Sequence, residues 1–100
     1  MSSATIPIIE AIRSRRLLAF DYRGGRRIVE PHTYGVDGRQ REILCAYQVQ
    51  GVSRSGEHAG WKNFVVSELS EVRVDTRHFE QARPEYRRDD GAFRQILAQL

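Results

Sequence analysis

One hundred residues are enough for a single small domain with one core and too few for two, and the formal charge of +3 is modest. With 40% hydrophobic and 29% charged residues the composition excludes a disordered chain, and no run approaches the roughly 20 apolar residues of a membrane helix. Cys45 is the only cysteine, which excludes an internal disulfide and a thiolate metal cluster.

Residues 6–15 are expected to form a short helix. Thr5 can cap it, Pro7 suits its first turn, and Ile8, Ile9 and Ile12 make an apolar stripe. In this N-terminal segment the charge follows the apolar part, the reverse of a secretory signal, so a cytoplasmic location is expected.

Residues 17–22 alternate, with Leu18, Phe20 and Tyr22 on one face, and read as a strand. Gly24-Gly25 supplies a tight turn into a second strand over 26–32, which Pro31 should end or bulge because proline cannot donate to the ladder. Asp37-Gly38 marks another turn. Residues 41–49 are the best strand of the chain, with Ile43, Cys45, Tyr47 and Val49 on one face and a buried, inert thiol at its centre. A loop rich in glycine and serine follows over 50–60, and two further short strands are expected over 61–66 and 71–75. Five short strands joined by tight turns suit a small closed or nearly closed barrel.

From residue 76 to 90 the composition turns charged, and this stretch reads as a connector. A C-terminal helix is expected over 91–100, capped by Asp90, with Phe93, Ile96, Leu97 and Leu100 at i, i+3, i+4 and i+7. It can pack on its own barrel or serve a partner. The expectation is therefore one mainly β (α+β) domain over 1–100, with its core at 6–79.

Fifteen of the sixteen basic residues are arginine, and Lys62 is the only lysine. Arginine presents a planar fork suited to phosphate and carboxylate, which points to an anionic or nucleic-acid ligand; a GC-rich genome would raise arginine equally well. Arg27, on a strand beside a turn, is the first candidate for an anion contact, the alternative being a surface pair with Glu30 or Asp21. His32, just after Pro31, can donate to a phosphate, stack on a base, or serve as a structural hydrogen-bonder. Tyr22, Tyr34, Tyr47 and Trp61 are candidates for a stacking platform, with Trp61 favoured; packing in or at the end of the barrel is their other reading. Lys62 can pack its stem and reach solvent with its amine, and Arg54 lies in a loop that can close over a ligand. His32, His58 and His78 lack ligand spacing, so no metal is expected. There is no catalytic elbow, no H-E-x-x-H and no phosphate loop, so neither enzymatic activity nor a cofactor is expected.

Taken in order, LLAFDY, RIVEPHTYG, EILCAYQV and GWKNFVVSEL resemble a WYL domain. The resemblance rests on the helix leading into a strand that ends in Tyr22, on Arg27-x-Val29-x-Pro31 with His32 following, on Leu44, Ala46 and Tyr47, and on Trp61, Lys62 and Phe64. Two departures stand out: only the Leu–Ala–Tyr part of the naming segment is present, and Glu68 replaces a basic residue of the family pattern. The resemblance implies a five-stranded SH3- or Sm-like barrel that senses ligands in bacterial transcription regulation, in a short, standalone form without the usual helix-turn-helix segment. It implies an anionic ligand, single-stranded DNA or RNA or a nucleotide-like effector, on aromatic and basic side chains, and a separate DNA-binding chain as a possible partner. The alternative function is a protein-interaction or assembly module, including a homo-oligomer, built on a barrel edge strand and the C-terminal amphipathic helix.

Overall fold

Helix α1 spans Thr5–Ser14, because Thr5, Ile8, Ala11 and Ile12 recur at helical spacing and bury one stripe. It is the first element in the computed structural model, which describes residues 3–51 and 59–100. Thr5 does not cap the helix. Ala4 holds that position, and the Thr5 hydroxyl is bonded to the Tyr34 hydroxyl at 2.9 Å. Arg15 closes the helix in the left-handed region (φ 54°, ψ 48°), with its N–H donated back to the Ile12 carbonyl, and the chain turns at once into a sheet.

Six strands follow: β1 (Arg16–Tyr22), β2 (Gly25–Asp37), β3 (Glu42–Gly51), β4 (Gly60–Val65), β5 (Ser70–His78) and β6 (Phe93–Gln99), with a 3-10 turn, Val66–Glu68, between β4 and β5. Every pairing is antiparallel, in the order β4-β3-β2-β1-β5, and β6 also pairs with β2. The long β2 is the spine of the sheet. Along one edge it pairs with β3; along the other it takes β1 over its first half and β6 over its second. The β1–β2 hairpin turns on Arg23 and Gly24, both with positive φ (47° and 82°), the two-residue turn whose twist matches that of paired strands.

The inner face of the sheet packs on α1 and holds the core. Phe20 and Phe64 meet edge to face at 4.9 Å, Tyr22 and Phe64 at 5.0 Å, and Leu18, Val29, Leu44, Ala46 and Val66 fill the remaining space. Each fully buried aromatic or aliphatic side chain contributes about 1.5–3 kcal/mol.

Two expectations are corrected here. The sheet is open rather than a closed five-stranded SH3- or Sm-like barrel: β4 and β5 are its end strands and do not pair with each other. The sheet curls enough for the Tyr22 hydroxyl of β1 to accept the Val65 N–H of β4 at 3.2 Å, so a side chain occupies a backbone donor that a closing strand would need. There is also no C-terminal helix, and residues 93–99 form β6. The segment FRQILAQL satisfies two periods at once. Its helical stripe at 93, 96, 97 and 100 overlaps a period-two set, Ile96, Ala98 and Leu100, of which Ala98 and Leu100 pack on the core. The unpaired half of β2 decides between them, because its open edge accepts a strand. Leu97, which the helical pattern counts as apolar face, is left 38% exposed. Asp90 makes no helix cap; its carboxylate accepts the Ala92 N–H at 2.9 Å in a local turn.

β2 does not end at Pro31 but runs on to Asp37, with a register break between Pro31 and Thr33. The charged stretch after β5 does not hang free as a connector. It crosses the outer face of the sheet, opposite α1, and is tied down there by the contacts described next.

Candidate functional site

The register break in β2 sets the geometry of the outer face. His32 is the extra residue between Pro31, opposite Ala46, and Thr33, opposite Cys45. Its ring is fully buried (0% exposed) and both nitrogens are used. Nδ1 lies 2.8 Å from the Glu30 carbonyl, which can only accept, so Nδ1 carries the proton; Nε2 then accepts the Arg83 N–H at 3.1 Å. Burial, followed by the nearby Arg83 charge, holds the His32 pKa below its ordinary value against the opposing pull of Glu30.

Around this ring stand Trp61 (4.6 Å, edge-on), Phe79 (5.8 Å, stacked) and Tyr86 (5.2 Å, tilted). Trp61 also meets Tyr47 edge-on at 5.8 Å and donates its indole N–H to the Pro84 carbonyl at 3.2 Å. Arg83 spreads over the Tyr47 ring at 4.3 Å and grips the buried Glu30 carboxylate with two bonds of 2.8 and 2.9 Å. His32, Tyr47 and Trp61 are thus brought together, but by the protein's own residues 79–86. Beside them lies an open cleft of about 300 Å³, bordered by Thr33, Cys45, Trp61, Lys62, Tyr86 and Arg87 among others. The Cys45 thiol is pushed up to about 11, by burial and then by Asp90, and so stays protonated at neutral pH.

Arg27 sits on the inner face with Tyr22 and Phe64, away from His32. It is only 5% exposed. Its guanidinium donates to Gln48 Oε1 at 3.1 Å and to the Tyr22 carbonyl at 3.2 Å, and lies over the Tyr22 and Phe64 rings at 5.5 and 6.0 Å. No carboxylate pairs with it among the described residues, and its Nε–H is buried without an acceptor. Desolvation holds its pKa below the ordinary arginine value, although an arginine remains charged. The pairs considered for it go elsewhere: Asp21 to Arg26 and Glu30 to Arg83.

The other candidates are scattered. Tyr34 is fully buried beside α1, where its hydroxyl donates to Glu42 at 2.5 Å and the Thr5 hydroxyl donates to it. Lys62 is half-buried on the end strand β4, and Arg54 lies outside the described residues. Glu68 pairs with Arg23 in a two-pronged contact of 2.8 and 3.2 Å, which holds its carboxyl below the usual range. Among the described residues six arginines pair with a carboxylate.

Tyr34 carries a pH prediction. Burial first, and then the Glu42 carboxylate, raise its pKa from 10.0 to about 12. The folded state therefore holds a proton that the unfolded state releases near pH 10. This contribution to stability is complete below pH 10 and lost as the pH rises towards 12. Denaturant midpoints should fall over that range, and Tyr34→Phe should flatten the fall while lowering neutral stability by about 1 kcal/mol.

Sequence reasoning missed Glu30, Gln48, Phe79, Arg83 and Tyr86. The available signal was Phe79 and Tyr86 themselves: rings in an otherwise charged stretch mark a segment that packs. Among the described residues no group of three histidine, cysteine or acidic side chains could hold a metal, and no helix is long and apolar enough to cross a membrane. No protein-family model, curated protein or solved structure matches this chain.

Proposed function

We propose that this protein is a non-enzymatic binding module whose ligand is an anion drawn to Arg27. The observation that carries the reading is a guanidinium buried without a carboxylate among the described residues. Taking such a charge out of water costs several kcal/mol, and two neutral acceptors with two ring faces return only part of that. A phosphate or carboxylate oxygen would supply the missing counter-charge and the acceptor that Nε–H lacks. The motif order that resembles a WYL domain points the same way, towards nucleotide-like or single-stranded nucleic-acid ligands in regulation. The chemistry of the best-placed polar groups supports binding over catalysis: His32 has both nitrogens occupied, and Cys45 is held as a thiol.

The assembly reading has less support. Its helix is a strand, and the edges at β4 and β5 are guarded. On β5 stand Arg73, Asp75 and Arg77, with two register breaks in its pairing to β1, and on β4 the Val65 N–H is already taken.

The test pairs binding with stability. Short labelled single-stranded DNA and RNA, and inorganic phosphate as competitor, are titrated at low and moderate salt against the wild type and Arg27→Met. The wild type should bind with an affinity that falls as salt rises, and the variant should bind at least tenfold more weakly with a shallower salt slope. Arg27→Met should change folding stability by less than about 1 kcal/mol, because relief of a desolvated charge offsets two lost hydrogen bonds. Unchanged affinity in the variant, or a wild type that binds none of these anions, would sink the proposal.

A further inference from the structure

We propose that residues 79–86 form a strap over the outer face that His32 latches when neutral and releases when protonated. The inference stands apart from any anion at Arg27, since it concerns the opposite face of the sheet.

Three of the strap's anchors converge on one ring. The Arg83 N–H donates to His32 Nε2, Phe79 stacks on the imidazole, and Tyr86 tilts against it. Beside it, Trp61 packs on the imidazole and donates to the strap carbonyl of Pro84. The strap is also held by the Glu30–Arg83 pair and by Arg83 over the Tyr47 ring. At its ends the Phe79 N–H donates to the Arg15 carbonyl, Arg15 donates to the Glu80 carbonyl at 2.8 Å, and the Tyr86 hydroxyl donates to the Leu100 carbonyl at 3.1 Å. These leave the ring's own latch as the part that protonation breaks. The segment itself is without helix or strand, so it makes no ladder to hold it in place.

Protonation of Nε2 converts the acceptor of the Arg83 N–H into a donor. Two N–H groups then face each other at 3.1 Å in a site closed to water, and neither finds a partner. Nδ1 already donates to the Glu30 carbonyl, so turning the ring over only moves the conflict. The charged groups facing the ring are few. From β2 the Glu30 carboxylate favours the imidazolium, but Arg83 neutralises it with both oxygens; from the strap Arg83 opposes the imidazolium, and Tyr86 presents an uncharged ring. From β4 the facing side chain is Trp61, which does not titrate, and Tyr47 of β3 lies beyond it. Lifting the strap is the change that gives the imidazolium water, and it uncovers Tyr47 and, at the wall of the open cleft, Trp61. The sheet, whose core lies on the other face, has no reason to follow.

The test exploits Trp61, the only tryptophan, which sits in the latch. Its emission, and hydrogen exchange of the amides in 79–86, are followed from pH 8 to 5 alongside the strand signal in circular dichroism. The wild type should show a red-shifted emission and at least a tenfold loss of protection in the strap as the pH falls below the ordinary histidine value of 6.5, with the strand signal unchanged. His32→Gln, which keeps an acceptor but does not titrate here, should show neither change. Should that variant fail to fold, the His32 ring resonances of the wild type decide: they must titrate together with strap exposure. Loss of sheet and strap at one pH, equal changes in the wild type and His32→Gln, or titration of His32 with strap protection intact would each overturn the proposal.

Discussion

Gly35→Ala should lower stability by about 2–3 kcal/mol, a fall of roughly 10–20 °C in thermal midpoint for a domain of this size. Gly35 lies on β2 where β6 crosses closest. A Cβ there would collide with the Gln95 carbonyl oxygen, meet Phe93 Cδ1 at 2.8 Å and press on Ile96 Cα at 3.1 Å. Two of these three neighbours are backbone, so relief requires β6 itself to move off the ladder. Gly38→Ala is the matched control: it has no neighbour within 4 Å and should change stability by less than about 0.5 kcal/mol. Removing residues 93–100 extends the same test. It strips β2 of its second partner from Thr33 to Asp37 and takes away the bond from the Leu100 N–H to the His32 carbonyl. The shortened chain should fail to fold rather than merely lose a partner surface. Equal midpoints for Gly35→Ala and Gly38→Ala would show that β6 contributes little to holding the sheet.

The first five strands were legible because each carries its own pattern. Leu18, Phe20 and Tyr22 alternate, and turn residues separate the runs; in β3 the alternation was read with the wrong parity, since Leu44, Ala46 and Gln48 are buried while Cys45, Tyr47 and Val49 are only half-buried. Their boundaries moved by one to three residues, except for β2. Proline at 31 reads as a stop or a bulge; the bulge is what occurs, and only the partners on both edges reveal that the strand continues. β6 was not legible at all. Its apolar spacing fits a helix as well as a strand, and what selects the strand is an open edge sixty residues earlier in the chain.

The candidate site divides along the same line. Residue type alone suggested Arg27 and His32 as neighbours on one ligand surface. They sit on the same strand five residues apart, and the bulge at His32 together with strand alternation sends them to opposite faces. The partners that define each of them, Gln48 for Arg27 and Arg83 for His32, come from positions distant in sequence, and no local pattern announces such pairs.

Arg83→Met should cost about 2–3 kcal/mol, much more than a surface ion pair is worth. The reason is asymmetry within the pair. The Arg83 side chain is 40% exposed while that of Glu30 is 9% exposed, so removing the arginine leaves a carboxylate that water barely reaches. Two charge-assisted bonds and the cover over the Tyr47 ring are lost together. The main-chain bond from the Arg83 N–H to His32 does not depend on the side chain, so the loss measured is that of the ion pair and its ring contact. Adding Glu30→Gln to Arg83→Met should recover about 1 kcal/mol, because the stranded group is then neutral. Chemical denaturation of the wild type, both single variants and the double variant gives the coupling directly. A coupling below about 0.5 kcal/mol would mean that the pair behaves as a solvated surface contact and that the strap is held by its other contacts.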